Sequence, residues 1–237
     1  MPLQVGDIVH QLHHLWITGQ LTPEHFTNLD ELVQKLYPEN SEELSLDVAI
    51  QAATLIRGYL EKYRDDKLNF ISSEIHIETD IGSCVLVMKV DALARPADER
   101  LWRVEHKTTA RMDSHYLNGL KGGLQGAIYD FGIEQEFKEK VSGTIYNLLV
   151  KTKIPDYHRA YTKCNRSAID RMLKTVEGVV RDIHNADFYP SSLCFLYQRE
   201  CDYKKLCDYD DPMVRESFYM KRKEVIVDDS EDQTKSE

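Results

Sequence analysis

Asp91 ends the apolar run Val85-Leu86-Val87-Met88-Lys89-Val90-Asp91, and a second run, Leu101-Trp102-Arg103-Val104, leads into Glu105-His106-Lys107-Thr108-Thr109. Between them, Arg95-Pro96-Ala97-Asp98-Glu99-Arg100 has turn composition, so the two runs predict a β-hairpin. Side chains alternate along a strand, which puts Glu105 and Lys107 on one face. A neighbouring strand in suitable register brings Asp91 beside them. Two carboxylates and an ammonium would leave charge stranded on a partly apolar sheet. A hard divalent cation between the carboxylates resolves this, with the lysine addressing a water or a phosphate oxygen. Acid-x-base tripeptides also mark solvated strand faces that carry a surface ion pair. The tripeptide alone leaves both readings open.

Other elements must deliver the remaining groups. Val5, Ile8, Val9, Leu12, Leu15 and Trp16 recur at helical spacing, predicting an amphipathic N-terminal helix with His10, His13, His14 and Ile17 on or near its opposite side. Imidazole is a good further ligand for manganese or iron and an acceptable one for magnesium, and it is equally an ordinary surface side chain. In Gly122-Gly123-Leu124-Gln125-Gly126-Ala127-Ile128-Tyr129, residues Gln125 and Tyr129 are four apart and share a helix face. Such a pair can hold a phosphate, a water or a carboxylate; it can also be a core tyrosine satisfied by a glutamine.

Periodicity places these residues in a larger frame. Thr22-Pro23-Glu24 opens a short helical stretch toward Tyr37-Pro38, and a helix from about Ser41 to Tyr63 carries Leu44, Val48, Ala52, Leu55 and Tyr59 on one face. Strands are expected over 70–78, 84–93, 101–108 and 143–152. Ile169, Met172, Leu173, Val176, Val179, Val180 and Ile183 mark a long amphipathic helix. The expectation is an α/β core, a mixed central β-sheet flanked by α-helices.

The order Gly6…His10, Asp91, Glu105-His106-Lys107-Thr108, Gln125…Tyr129 resembles the RecB-like branch of the PD-(D/E)XK nuclease superfamily. That branch includes nuclease domains of recombination helicase-nucleases, CRISPR-adaptation exonucleases and phage exonucleases. The resemblance covers the chain to about residue 150, and Glu74 is similar to the acidic strand residue that often precedes the motif aspartate. It implies a restriction-endonuclease-like fold and metal-dependent hydrolysis of DNA phosphodiesters. Asp91, Glu105 and the His106 carbonyl would bind Mg²⁺ or Mn²⁺, with His10 as a further ligand. Lys107 would orient water or stabilise developing charge, and Gln125 and Tyr129 would position Lys107, phosphate or water. Exonuclease action is favoured over endonuclease action, and an annealing protein, a helicase or a CRISPR protein are the implied partners. The chain departs from the pattern in having Met88 where glycine is frequent, and it lacks an upstream cysteine. A nonhydrolytic DNA-binding or scaffold subunit is the alternative, although such subunits usually lose an acidic ligand or the lysine.

Cys194, Cys201 and Cys207 follow a C-x6-C-x5-C spacing. In the resembling branch a comparable tail joins an upstream cysteine to hold an iron–sulfur cluster, here a possible 4Fe-4S site, and four ligands are the usual number. A zinc site would want four as well, and three reduced thiols without a cofactor are the third reading.

With 237 residues the chain can bury a sizeable core. The expected division is a nuclease domain over 1–223 and an acidic tail over 224–237. Within the domain, 1–66 is a helical part, 67–153 the catalytic core and 154–223 a C-terminal helix and cysteine segment. No apolar stretch reaches transmembrane length and no secretory signal opens the chain. The five cysteines do not suggest a disulfide framework, so a reducing cytoplasm, of a bacterial cell or a phage-infected host, is expected. A net charge of −10 opposes nonspecific DNA affinity, but acid concentrates between Glu24 and Asp66 and in the tail. Lys138, Lys140, Lys151, Lys153, Arg159, Lys163, Arg166 and Arg171 supply cations after the motif helix, with Lys151 and Lys153 the expected nucleic-acid contacts.

Overall fold

The computed structural model describes residues 2–36, 46–121, 123–187, 195–196, 199–209 and 211–220. The chain divides into two compact units, Met1–Arg181 and Asp182–Glu237. The expected division at 223/224 falls outside the described residues.

The first unit opens with α1 (Pro2–Ile17), a 3-10 turn (Pro23–Asn28), α2 (Leu29–Leu36) and α3 (Leu46–Lys62). Five strands follow: β1 (Asn69–Asp80), β2 (Val85–Arg95), β3 (Trp102–Thr109), β4 (Gly143–Val150) and β5 (Asp156–Lys163). They form one sheet in the order β1-β2-β3-β4-β5. Every neighbouring pair is antiparallel except β3 and β4. A parallel pair needs a crossover, supplied here by α4 (Ser114–Gly119) and α5 (Leu124–Phe137). Helix α6 (Arg166–His184) follows β5. The expected mixed α/β sheet with flanking helices is therefore present.

Two apolar layers enclose the sheet. On one face Val5, Ile8, Val9 and Leu12 of α1 pack with Ala49, Ala52, Leu55, Ile56 and Tyr59 of α3 and with Leu149 of β4. On the other, Ile133 of α5 packs with Ile77, Met88, Val90 and Leu93. Gly132 presents no side chain here, and a Cβ on it would meet the Met88 sulfur at 2.2 Å. Met88 thus fills space that the helix, rather than the strand, leaves open.

Two expectations need correcting. Asp91 lies inside β2, which continues to Arg95. His13 is not on the polar side of α1: it is buried, 1 % exposed. Strand β5 pairs along β4, although its mixed polar composition, DYHRAYTK, hides the period. No helix among the described residues is long and apolar enough to cross a membrane.

In the second unit β6 (Phe195–Leu196) and β7 (Arg199–Glu200) pair as a short ladder, followed by α7 (Lys204–Asp208) and α8 (Pro212–Phe218).

Candidate metal centre

Strands β2 and β3 keep register only from Ala92↔Val104 to Ala94↔Trp102. Beyond that β2 stays with β1 while β3 stays with β4, so the two strands part as a fork beginning at Asp91. The Asp91 side chain fills the gap, its Oδ2 accepting the His106 N–H at 2.8 Å. Fork geometry, not hairpin pairing, therefore carries the aspartate to β3.

Across β1, the pairs Ser73↔Ala92 and Ile75↔Val90 put Glu74 opposite Asp91. Glu74 has φ +52°, a left-handed conformation that costs a non-glycine residue on the order of 1–3 kcal/mol. The alternation of the hairpin changes phase at this point. Ile75, Val90 and Met88 pack toward α5, whereas Ala92 and Ala94 pack with Ile17 of α1. Ser73 Oγ likewise reaches His14 Nδ1 on α1, at 2.7 Å. Both carboxylates sit at the phase change.

Helix α1 completes the group. Its buried stripe faces α3, which leaves His10 turned to the fork. His10 Nε2 donates to the His106 carbonyl at 2.9 Å, and Nδ1 lies 3.4 Å from Asp91 Oδ1. Gly6, one turn earlier, lies against β3: a Cβ there would touch Thr108 Oγ1 at 3.4 Å. Ligand atoms of His10, Glu74 and Asp91 all lie within 4.8 Å of one another. Glu74 meanwhile pairs with Lys89.

The donor set fits a hard divalent cation. It offers two carboxylates, an imidazole and a backbone carbonyl, the oxygen-rich mixture that suits Mg²⁺ or Mn²⁺. Burial opposes the charge on Asp91, yet its hydrogen bond and attraction to His10, the His106 N–H and Lys107 outweigh it and hold the carboxyl below its usual range. For His10, burial lowers the imidazole pKa, but Asp91, the His106 carbonyl and Glu105 raise it further, to a net increase.

Glu105 and Lys107 share a face, as expected. Glu105, 3 % exposed, accepts Lys107 Nζ on Oε1 at 2.5 Å and Arg103 Nη1 on Oε2 at 3.0 Å. It stands outside the close His10–Glu74–Asp91 trio. Burial disfavours the Lys107 ammonium, but Glu105 and Asp91 more than restore it. The His106 ring points the other way, into the α1–α3 layer, stacked 3.7 Å from His13. Burial drives His13 down to about 3 and holds His106 well below the ordinary imidazole value, so both are neutral.

Gln125 and Tyr129 do meet, Nε2 donating to the phenol oxygen at 3.2 Å, and the Tyr129 ring lies under the Arg103 guanidinium. Lys151 and Lys153 line a small cleft with Gln51, Thr54 and Leu55 of α3. Other expected cations are held in ion pairs: Arg159 with Asp66, and Arg166 and Lys140 with Glu134. Cys194 lies outside the described residues; Cys201 and Cys207 are free and exposed. Among the described residues, no cysteine joins a metal-type group.

Sequence reasoning passed over Arg103 and Asp130. A signal existed: Arg103 is two residues before Glu105 in an apolar strand, hence on the same face as Glu105 and Lys107.

No protein-family model matches the chain, and no curated protein matches it. Solved structures do. A protein from Eubacterium rectale named "Putative exonuclease" superposes with a TM-score of 0.52 at 17% identity, covering 94% of this chain and 76% of its own. A second, SSO0001, has a TM-score of 0.32 at 14% identity and covers 74% of each chain. At such identity the first likeness is one of fold, the α/β architecture of a mixed five-stranded sheet between helices.

Proposed function

We propose that this chain is a Mg²⁺- or Mn²⁺-dependent deoxyribonuclease of the RecB-like type, hydrolysing DNA phosphodiesters, and an exonuclease rather than an endonuclease. One observation carries the reading. His10 from the first helix, Glu74 and Asp91 from the hairpin and the His106 carbonyl converge at the fork, and the Glu105–Lys107 pair lies on the same strand as His106, its ammonium acting on Asp91. A cation bound there would lower the pKa of a water and offset charge on the phosphate. The chain's own groups do the rest. Asp91, fixed by the His106 N–H, arrives already oriented, and His10 stands beside the His106 carbonyl through a hydrogen bond that a bound cation would replace. The Lys107 ammonium stays charged and faces the reacting phosphate or water. The preference for exonuclease action is supported by the sequence resemblance and by the name of the Eubacterium rectale neighbour.

DNA recombination, repair or phage DNA processing is the setting proposed, with an annealing protein, a helicase or a CRISPR protein as partner. The test is incubation of linear and circular DNA, single- and double-stranded, with Mg²⁺, Mn²⁺ or chelator. Hydrolysis of linear DNA is expected, lost with chelator and with Asp91→Asn while the circular dichroism spectrum is kept. Undiminished hydrolysis by Asp91→Asn would refute the assignment.

A further inference from the structure

Arg103 is a fully buried cation that no part of the proposed hydrolysis uses. Its side chain is 2 % exposed and lies between two carboxylates. Nη1 donates to Glu105 Oε2 at 3.0 Å, Nε to Asp130 Oδ1 at 3.2 Å and Nη2 to Thr144 Oγ1 at 2.7 Å. The Tyr129 ring centroid is 5.3 Å from Cζ, close enough for a cation–π contact. Gly126 leaves the guanidinium room, since a Cβ there would stand 3.3 Å from Nη2. Three elements, β3, β4 and α5, therefore converge on one guanidinium. A planar fork of donors suits that task, whereas an ammonium could satisfy fewer of these directions at once.

The balance of charge decides what the arrangement does. Asp130 already balances Arg103, so Arg103 does not depend on Glu105 for neutrality. Glu105 carries Arg103 on Oε2 and Lys107 on Oε1. The Arg103 contact is buried and anchored at two further points; the Lys107 side chain is 32 % exposed. Oε1 is thus the oxygen that can change partner.

We propose that Arg103 is the positioning residue of the centre: it pins Glu105 through Oε2 so that Oε1 exchanges Lys107 for the cation, and Gln125 and Tyr129 act on the site through Arg103. This rests on the proposed cation site and adds Glu105, which stands outside the close trio, to its donors. Cation binding and the arming of Lys107 become one event, because the ammonium that leaves Oε1 is then free to face phosphate. Arg103 touches neither substrate nor cation.

The test is Mn²⁺ binding without DNA, read by electron paramagnetic resonance, on the parent chain and on Arg103→Met, Arg103→Lys, Asp130→Asn and Thr144→Val. Outer-shell partners of metal ligands typically contribute 10- to 100-fold in affinity. Arg103→Met is expected to weaken Mn²⁺ binding about 10- to 100-fold, and Arg103→Lys to restore part of it. Asp130→Asn, which leaves Glu105 as the only carboxylate balancing Arg103, is expected to weaken it about tenfold. Thr144→Val keeps the charges and guards against misfolding of the Met variant; a smaller loss, about threefold, is expected. A folded Arg103→Met or Asp130→Asn chain that binds Mn²⁺ within twofold of the parent overturns the proposal, as does a parent that binds no Mn²⁺. Should the variants follow the expected order while no DNA is cleaved by the parent, Arg103 keeps its role and only the nuclease reading falls.

Discussion

Glu74 concentrates the strain of the site. A left-handed glutamate in mid-strand is retained against its backbone cost, and the position it gains is opposite Asp91. Glu74→Gly is expected to raise stability by up to about 1 kcal/mol by relieving φ, while weakening Mn²⁺ binding about tenfold. Thermal unfolding and a Mn²⁺ titration on the same sample check both signs; unchanged affinity would remove Glu74 from the ligand set. Lys107→Met should not weaken Mn²⁺ binding, since it frees Glu105 Oε1, and should lower the cleavage rate by about 10²–10³, the loss typical of one preorganised charge donor. Steady-state cleavage measured beside the binding titration separates the two effects. At this scale the sequence was legible wherever chemistry repeats at fixed spacing, as with Glu105 and Lys107. Glu74 could be noticed as an acid in a strand, but nothing in Ser72-Ser73-Glu74-Ile75 announces a positive φ, which arises where the register steps from Ser73↔Ala92 to Ile75↔Val90. Arg103 and Asp130 are 27 residues apart, and their union depends on how α5 crosses the sheet.

Helix α1 and strand β3 are held together by two neutral imidazoles. His13 is pushed down to about 3 by burial, and His106 is depressed for the same reason. An unfolded imidazole titrates near 6.5, so between that value and the folded values the unfolded chain binds more protons. Stability contributed by this stack is full above about pH 6.5 and falls as the solution becomes more acid. His10, whose value is raised, acts with opposite sign, gaining stability as pH falls through its folded value. Urea midpoints at pH 7.5 and pH 5 are expected to drop toward acid, and His13→Leu should flatten the drop; a midpoint that does not move would contradict the neutral stack. On the opposite face, Gly132→Ala drives a Cβ into the Met88 thioether. Overpacking of that kind costs about 1–3 kcal/mol, visible as a lower thermal midpoint. Hydrophobic period sufficed to predict α1 and its stripe, but it put His13 on the wrong side. An imidazole reads as polar in a helical wheel, and only the Tyr59 and His106 rings that receive it reveal it as core.

Over the whole chain the net charge is −10, so any affinity for DNA has to come from local cation placement and from a cation held at the proposed site. Lys151 and Lys153 follow directly on β4, beside α3, and remain the proposed groups that meet the DNA backbone. Changing both to glutamate is expected to weaken DNA binding and to reduce the slope of log affinity against log salt, by about one unit for each phosphate no longer neutralised. Fluorescence anisotropy at several salt concentrations reads both quantities. The α/β class could be read from strand and helix periods, whereas the partition at Arg181, inside α6, could not, since the amphipathic pattern runs through it unbroken.

Anomalous diffraction from a Mn²⁺-soaked crystal bears most directly on the centre. A manganese peak is predicted in the β2–β3 fork, within about 2.0–2.6 Å of the His10 imidazole, the Asp91 carboxylate and the His106 carbonyl. A crystal with manganese bound only elsewhere, and His10 still hydrogen-bonded to the His106 oxygen, would contradict it.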